Sequence, residues 1–235
     1  MTGAPPHPSI PCRNPSCVCI TDILHQFAES LGNAIDAKDP HTRRHSDEVA
    51  ELSRELARLL GCAQRQMEII HLAGHLHDIG KIGVPDAALR KRGPLNAGEW
   101  AALRRHPEIG AEIVRPVLPL AEAGVVEMIL HHHERFDGQG YPHGLAGTAV
   151  PFGARVITLA DSLSAMLQDR PYRPALGFDA AVAEIVRGRG SQFDPEVAEA
   201  FLDHCEHFRA FCAGTPETLA RMESGLRGLG LAPAV

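Results

Sequence analysis

Residues 71–86 read His-Leu-Ala-Gly-His-Leu-His-Asp-Ile-Gly-Lys-Ile-Gly-Val-Pro-Asp, and the way this stretch stops decides the fold. Ile69, Leu72, Ala73 and Leu76 recur at helical spacing, so the chain enters it as a helix with its apolar face toward a core. Gly80 fits the left-handed residue that closes a helix, and Pro85 marks a chain that has left it. His77 and Asp78 then fall side by side at the helix exit, where an imidazole and a carboxylate can face one cavity. Taken alone, such a dipeptide is as compatible with a capped helix end as with a pair of metal ligands.

The surrounding histidines shift that balance. Of the 14 in the chain, ten lie between His41 and His143, with carboxylates interspersed. Histidine is the commonest metal ligand and the side chain that titrates nearest neutrality, and solubility does not explain such clustering.

Working outward, most of the chain reads as helix. Ile23, Leu24, Phe27, Leu31 and Ile35 keep helical period up to Asp39-Pro40. A second helix opens at His45, carries Val49, Leu52, Leu56 and Leu59, and closes at Gly61. A third runs from Gln64 to Asp78. Ile79 to Leu95 is a loop punctuated by Gly and Pro. Asn96 caps a helix over Glu99–Arg105, and His106-Pro107 opens another over Glu108–Val114. An apolar helix from Ala121 to His132 delivers His131, His132 and His133. Residues 134–150 turn repeatedly on glycine. Helices resume over Phe152–Gln168, Phe178–Arg187, Pro195–Phe208 and Pro216–Leu226. No segment alternates like a strand beside a hairpin turn and no internal repeat is visible, so the expected class is all-α, with ligands gathered from several helix ends.

Composition narrows the function classes. With 235 residues the chain can form one domain. Hydrophobic and charged shares of 44% and 22% are those of a soluble globular protein. No apolar run reaches membrane-span length and the Pro-rich start lacks a signal-peptide layout, so the expected location is cytoplasmic. The net charge of -6 argues against binding a nucleic-acid polymer through a broad positive field. Residues 1–19 read as a flexible leader or the stub of a linker, 20–212 as the main folded domain, and 213–235 as a C-terminal helix and tail. Cys12, Cys17 and Cys19 in the leader match no zinc spacing and receive no role.

The donors at helix ends, in order, are His45, His77, Asp78, His106, His132, His133 and Asp161. Nitrogen and carboxylate without thiolate suit iron, manganese or zinc. Seven donors exceed what one catalytic ion takes, which makes two ions bridged by a carboxylate the economical reading. Asp78, with two oxygens and a central place, is the natural bridge. His71 and His75 share a helical face with Asp78, as ligand-orienting partners or as buried core histidines. His131 reads as a neighbour of the ligand pair and His143 as a loop residue.

Longer motifs then resemble one family, the HD-GYP group of HD-domain metal-dependent phosphohydrolases. The resemblance rests on 77–86 (HDIGKIGVPD), 106–110 (HPEIG), 132–142 (HHERFDGQGYP), 170–173 (RPYR) and 190–195 (GSQFDP), and extends from about Ile20 to Phe201. It implies a helical bundle of the HD-domain type with an HD-GYP loop and C-terminal helices. The implied activity is hydrolysis of cyclic di-GMP, or a related cyclic dinucleotide, to linear pGpG and/or GMP, with water activated between two metals. The same seven residues would hold two divalent ions, iron or manganese first, with zinc, nickel or cobalt as alternatives. Asp78 and Lys81 would be catalytic, and Lys81, Tyr141, Arg170 and Arg173 would contact substrate. His41 stands where trinuclear members carry a glutamate for a third ion, leaving a third site open. Ser164 replaces a carboxylate that relatives carry near the site, which points to lowered activity or altered product release. A slow or inactive cyclic di-GMP receptor and a hydrolase of another cyclic dinucleotide remain as alternatives. A homodimer or a sensor-protein partner is compatible with the resemblance.

Overall fold

The second helix shows how pattern becomes structure. Val49, Leu52 and Leu56 recur at helical spacing and all are buried, while Glu51, Arg54, Glu55 and Arg58 form ion pairs along the outer side. The structure is a computed structural model and describes residues 20–39, 44–91, 93–169 and 174–214. The expected leader, the Pro216–Leu226 helix, His41, Arg170 and Arg173 fall outside those residues.

The described helices are α1 (Ile20–Lys38), α2 (His45–Leu59), α3 (Gln64–Leu76), α4 (Asp86–Leu89), α5 (Ala97–Leu103), α6 (His106–Val114) and α7 (Leu118–Glu122), followed by α8 (Val125–His131), α9 (Phe152–Leu167), α10 (Phe178–Gly188), α11 (Pro195–Asp203) and α12 (Cys205–Cys212). Tight 3₁₀ turns span Ile79–Gly83 and Gly147–Ala149. No strand occurs among the described residues, and the all-α class stands. Nor is any described helix long and apolar enough to cross a membrane.

The centre of the bundle is α2, α3, α8 and α9, and α6 packs on the turn after α3. Leu56, Ile70, Ile129, Ile157 and Leu163 are fully buried where these helices meet, and Ile185, Phe201 and Phe208 extend the same core under α10 to α12.

The start of α2 is fixed from outside the helix. Arg44 precedes it in a left-handed conformation (φ 60°) and offers no side-chain cap. Instead the backbone N–H and hydroxyl of Ser46 donate to the two carboxylate oxygens of Asp36 on α1, at 3.0 and 2.9 Å. An N-terminal cap of this kind is worth about 1 kcal/mol, and here it also seats His45, the first residue of α2 and 1% exposed, against α1.

Several boundaries differ from the sequence reading, each for a local reason. Gly80 does not close α3 in a left-handed conformation. It lies in the 3₁₀ turn, and a Cβ there would stand 1.8 Å from the His106 carbonyl oxygen and 2.5 Å from the Gly110 nitrogen. Its lack of a side chain permits close packing of α6. The 79–95 loop contains that turn and α4. The helix expected over 121–132 is interrupted by Gly124 (φ 84°) into α7 and α8. The one expected over 195–208 breaks at His204 into α11 and α12. Asn96 caps α5 as expected, in a reciprocal capping box with Glu99.

Candidate metal centre

Three helix ends repeat one local device. The Nδ1 of His77, His106 and His132 each lies 2.7–2.8 Å from the carbonyl oxygen three residues earlier, that of Gly74, Leu103 and Ile129. A carbonyl only accepts, so each Nδ1 carries a hydrogen and each Nε2 is turned away from its own backbone. This is how metal-binding imidazoles are commonly oriented. Thr158 on α9 donates to the His132 carbonyl and holds the end of α8 from the other side.

Two of these Nε2 atoms reach Asp78. One carboxylate oxygen lies 3.2 Å from His77 Nε2 and the other 3.3 Å from His106 Nε2. His45, His77 and Asp78 form one group whose donor atoms lie within 4.8 Å of each other, and His106, His132 and His133 form a second. Asp161 on α9 places a carboxylate oxygen 3.1 Å from His45 Nε2. The structure thus brings together all seven donors named from the sequence. His45, His77, Asp78, His106 and His132 are at most 4% exposed.

Electrostatics sort the donors into two kinds. Burial, with Lys81 beside His106 and the neighbouring histidines beside His132 and His133, holds His106 and His132 below the ordinary histidine range and brings His133 down to about 3. These rings are neutral at physiological pH. Burial also acts against a charged His77, but Asp78 and Asp161 outweigh it and raise that ring to about 9. Both carboxylates stay well below their usual range despite burial: Lys81 and His77 act on Asp78, and His45 acts on Asp161. The His77 Nε2 makes no hydrogen bond. Buried neutral imidazoles, ionised carboxylates and an unsatisfied nitrogen fit divalent cations, and the absence of sulfur favours a hard or borderline ion.

His45 is oriented differently. Its Nδ1 is 2.9 Å from Ser164 Oγ, and that hydroxyl donates to Glu48 Oε2 at 2.8 Å. Gln168 also donates to this Glu48 oxygen. The sequence reading treated Ser164 as a lost carboxylate. Glu48 restores the negative charge through the serine, one step further from the ring.

A cavity of about 280 Å³ opens beside the donors, lined in part by His45, Asp78, His106, His133 and Asp161, with Lys81 and Tyr141 in its wall. The Lys81 ammonium is 2.7 Å from Asp78 and 3.2 Å from Asp39, and these carboxylates push its pKa up against the effect of burial. Asp39 is a site residue that sequence reasoning missed, since Asp39-Pro40 reads only as a helix end. Tyr141 stacks on His133 at 4.8 Å, and the Arg104 guanidinium lies 4.5 Å above the tyrosine ring. Burial, then Asp161 and Asp78, push the phenol up and keep it neutral. Its loop is closed by backbone bonds from Phe136 and Asp137 to Gln192 and Ser191, so the 190–195 motif is the partner of the 132–142 motif. His71 and His75 pair with Glu51 and Asp47 on α2, at 3.1 and 3.4 Å, and not with the seven donors.

A helical bundle that gathers histidines and an adjacent His-Asp around one cavity is the setting of the HD domain, and the chain belongs to the HD-domain family, whose model matches residues 29–197. The HD-GYP resemblance holds among its relatives. The chain is 36% identical over 192 residues to the cyclic di-GMP phosphodiesterase response regulator RpfG of Xanthomonas campestris, a match covering 81% of this chain and 50% of that protein. It is 34% identical over 204 residues to the 3′3′-cGAMP-specific phosphodiesterase 2 of Vibrio cholerae, covering 85% and 38%. The chain therefore spans half or less of the length of these curated relatives. Among solved structures, the V. cholerae cyclic GMP-AMP phosphodiesterase V-cGAP3 superposes with a TM-score of 0.66 at 19% identity, over 90% of this chain and 54% of that one. That likeness concerns the fold.

Proposed function

We propose that the chain is a metal-dependent phosphodiesterase that opens cyclic di-GMP to linear pGpG and, in a second round, to GMP. The relatives named as cyclic di-GMP phosphodiesterases support the substrate class. One geometric observation supports the chemistry above all others: Asp78 presents one oxygen to each of two nitrogen groups. In this reading His45, His77, Asp78, His106, His132, His133 and Asp161 would hold two divalent ions, iron or manganese, with Asp78 as the carboxylate shared between them. When bound, such ions acidify water from a pKa of 15.7 to about 7 and offset phosphoryl charge.

In the reaction, water adds to phosphorus, the bond to the ribose 3′-oxygen breaks, and the proton ends on that oxygen. Lys81 is fixed by Asp39 and Asp78 with its charge at the cavity wall, where it meets a non-bridging phosphate oxygen as negative charge grows. Tyr141, held by His133 and Arg104, forms part of the cavity wall beside the substrate. Arg170 and Arg173 complete the phosphate contacts on the strength of their motif.

The deciding experiment is turnover of protein purified without air and loaded with manganese or ferrous iron, with cyclic di-GMP and 3′3′-cGAMP in competition. Linear product from cyclic di-GMP is expected, and preferential loss of 3′3′-cGAMP would reassign the substrate. Two ions per chain with no product from either would make the protein a receptor. Lys81→Met is expected to lower kcat by about 10²- to 10³-fold with metal content retained, and loss of metal would show that the lysine serves the ions instead. Ser164→Ala should weaken metal binding by about 10- to 100-fold, measured by chelator competition. An unchanged affinity would remove the Glu48 relay from the account.

A further inference from the structure

The end of α8 carries a second cluster of ligating side chains that the phosphodiester chemistry does not use. His131, Glu134 and His143 place donor atoms within 4.8 Å of one another, and none of the three lines the cavity beside Asp78. His131 and Glu134 are 5% and 2% exposed, while His143 lies exposed on the loop that follows Tyr141.

Two buried atoms in this cluster have no hydrogen-bond partner, His131 Nδ1 and Glu134 Oε2. Their neighbours assign the protons. His131 Nε2 faces the Glu127 carboxylate at 3.4 Å, so the hydrogen belongs on that nitrogen and Nδ1 is a lone pair. Glu134 Oε1 accepts from the His143 backbone N–H at 2.7 Å, which leaves Oε2 uncommitted. Nδ1 stands 3.7 Å from Oε1, beyond hydrogen-bond reach, and two acceptors cannot satisfy each other in any case. The His143 ring closes the third side, its centroid 5.2 Å from that of His131.

We infer that His131, Glu134 and His143 form a divalent-metal site of the zinc type, separate from the dinuclear centre, with Glu127 orienting His131. Two nitrogens and one carboxylate oxygen, plus water, give the usual four-coordinate zinc set. A carboxylate behind the imidazole is the usual way to fix such a ligand. Zinc bonds of about 2.0–2.1 Å require the donors to draw closer than they stand, and the exposed His143 ring is free to swing in. An ion here clips the loop that carries Tyr141 to the helix that ends in His132 and His133.

The test titrates zinc alone into the metal-free chain and into His143→Ala, whose exposed side chain is not part of the core. The unsubstituted protein is expected to take one more equivalent than His143→Ala. Zinc should also slow amide exchange over residues 134–143 in the former and not in the latter. Asp78→Ala should still take this equivalent, and Asp78→Ala with His143→Ala should not. Glu127→Gln should retain the site with affinity reduced about 10-fold. Equal zinc stoichiometry with and without His143, or no zinc bound by Asp78→Ala while it remains folded, would overturn the assignment.

Discussion

Asp78→Ala is expected to empty the dinuclear centre and lower hydrolysis by at least about 10³-fold, since an ion pair supplies several kcal/mol of charge stabilisation and each 1.4 kcal/mol is a factor of ten. The residue has this weight because it reaches both nitrogen groups: its two oxygens lie 3.2 and 3.3 Å from His77 and His106. It also pairs with Lys81 at 2.7 Å, so truncation leaves that buried ammonium with Asp39 as its remaining carboxylate partner and destabilises the fold. Elemental analysis beside a thermal melt reads both. A folded Asp78→Ala protein that still holds two ions would exclude the bridging role.

The second large effect is structural. Gly80→Ala is expected to destabilise the fold by at least about 3 kcal/mol, because the new methyl would meet the His106 carbonyl and the Gly110 nitrogen, both backbone atoms that cannot rotate away. Relief requires α6 to move, and His106 moves with it, so residual folded protein should also bind metal poorly. The midpoint of urea unfolding checks the first statement and metal content the second. A Gly80→Ala protein as stable as its parent would show that the turn and α6 are not in that contact.

Much of this architecture was legible before the structure. The helical stripes of α2 and α3 announce themselves through period, and the seven donors stand out as histidines and aspartates at helix ends. What local pattern could not show was contact across the chain. Asp36 caps α2 from α1, Asp39 holds Lys81 across 42 residues, and Glu48 reaches His45 only through Ser164. Each pairing depends on how helices lie together, which no window of sequence contains. Gly80 was misread for a related reason: a glycine after a helix suggests a left-handed cap, whereas here the absent side chain makes room for another helix.

Three of the imidazoles take their bearing from a carbonyl three residues back in the chain, so their aim is built in with the turn that carries them. Rearrangement elsewhere in the bundle carries such a ring as a rigid part of its segment. His45 instead looks to a residue far along the chain for its orientation, through a hydroxyl on α9. Sliding of α9 against α2 would therefore be felt at that one donor before the others, making it the mechanical gauge of the centre.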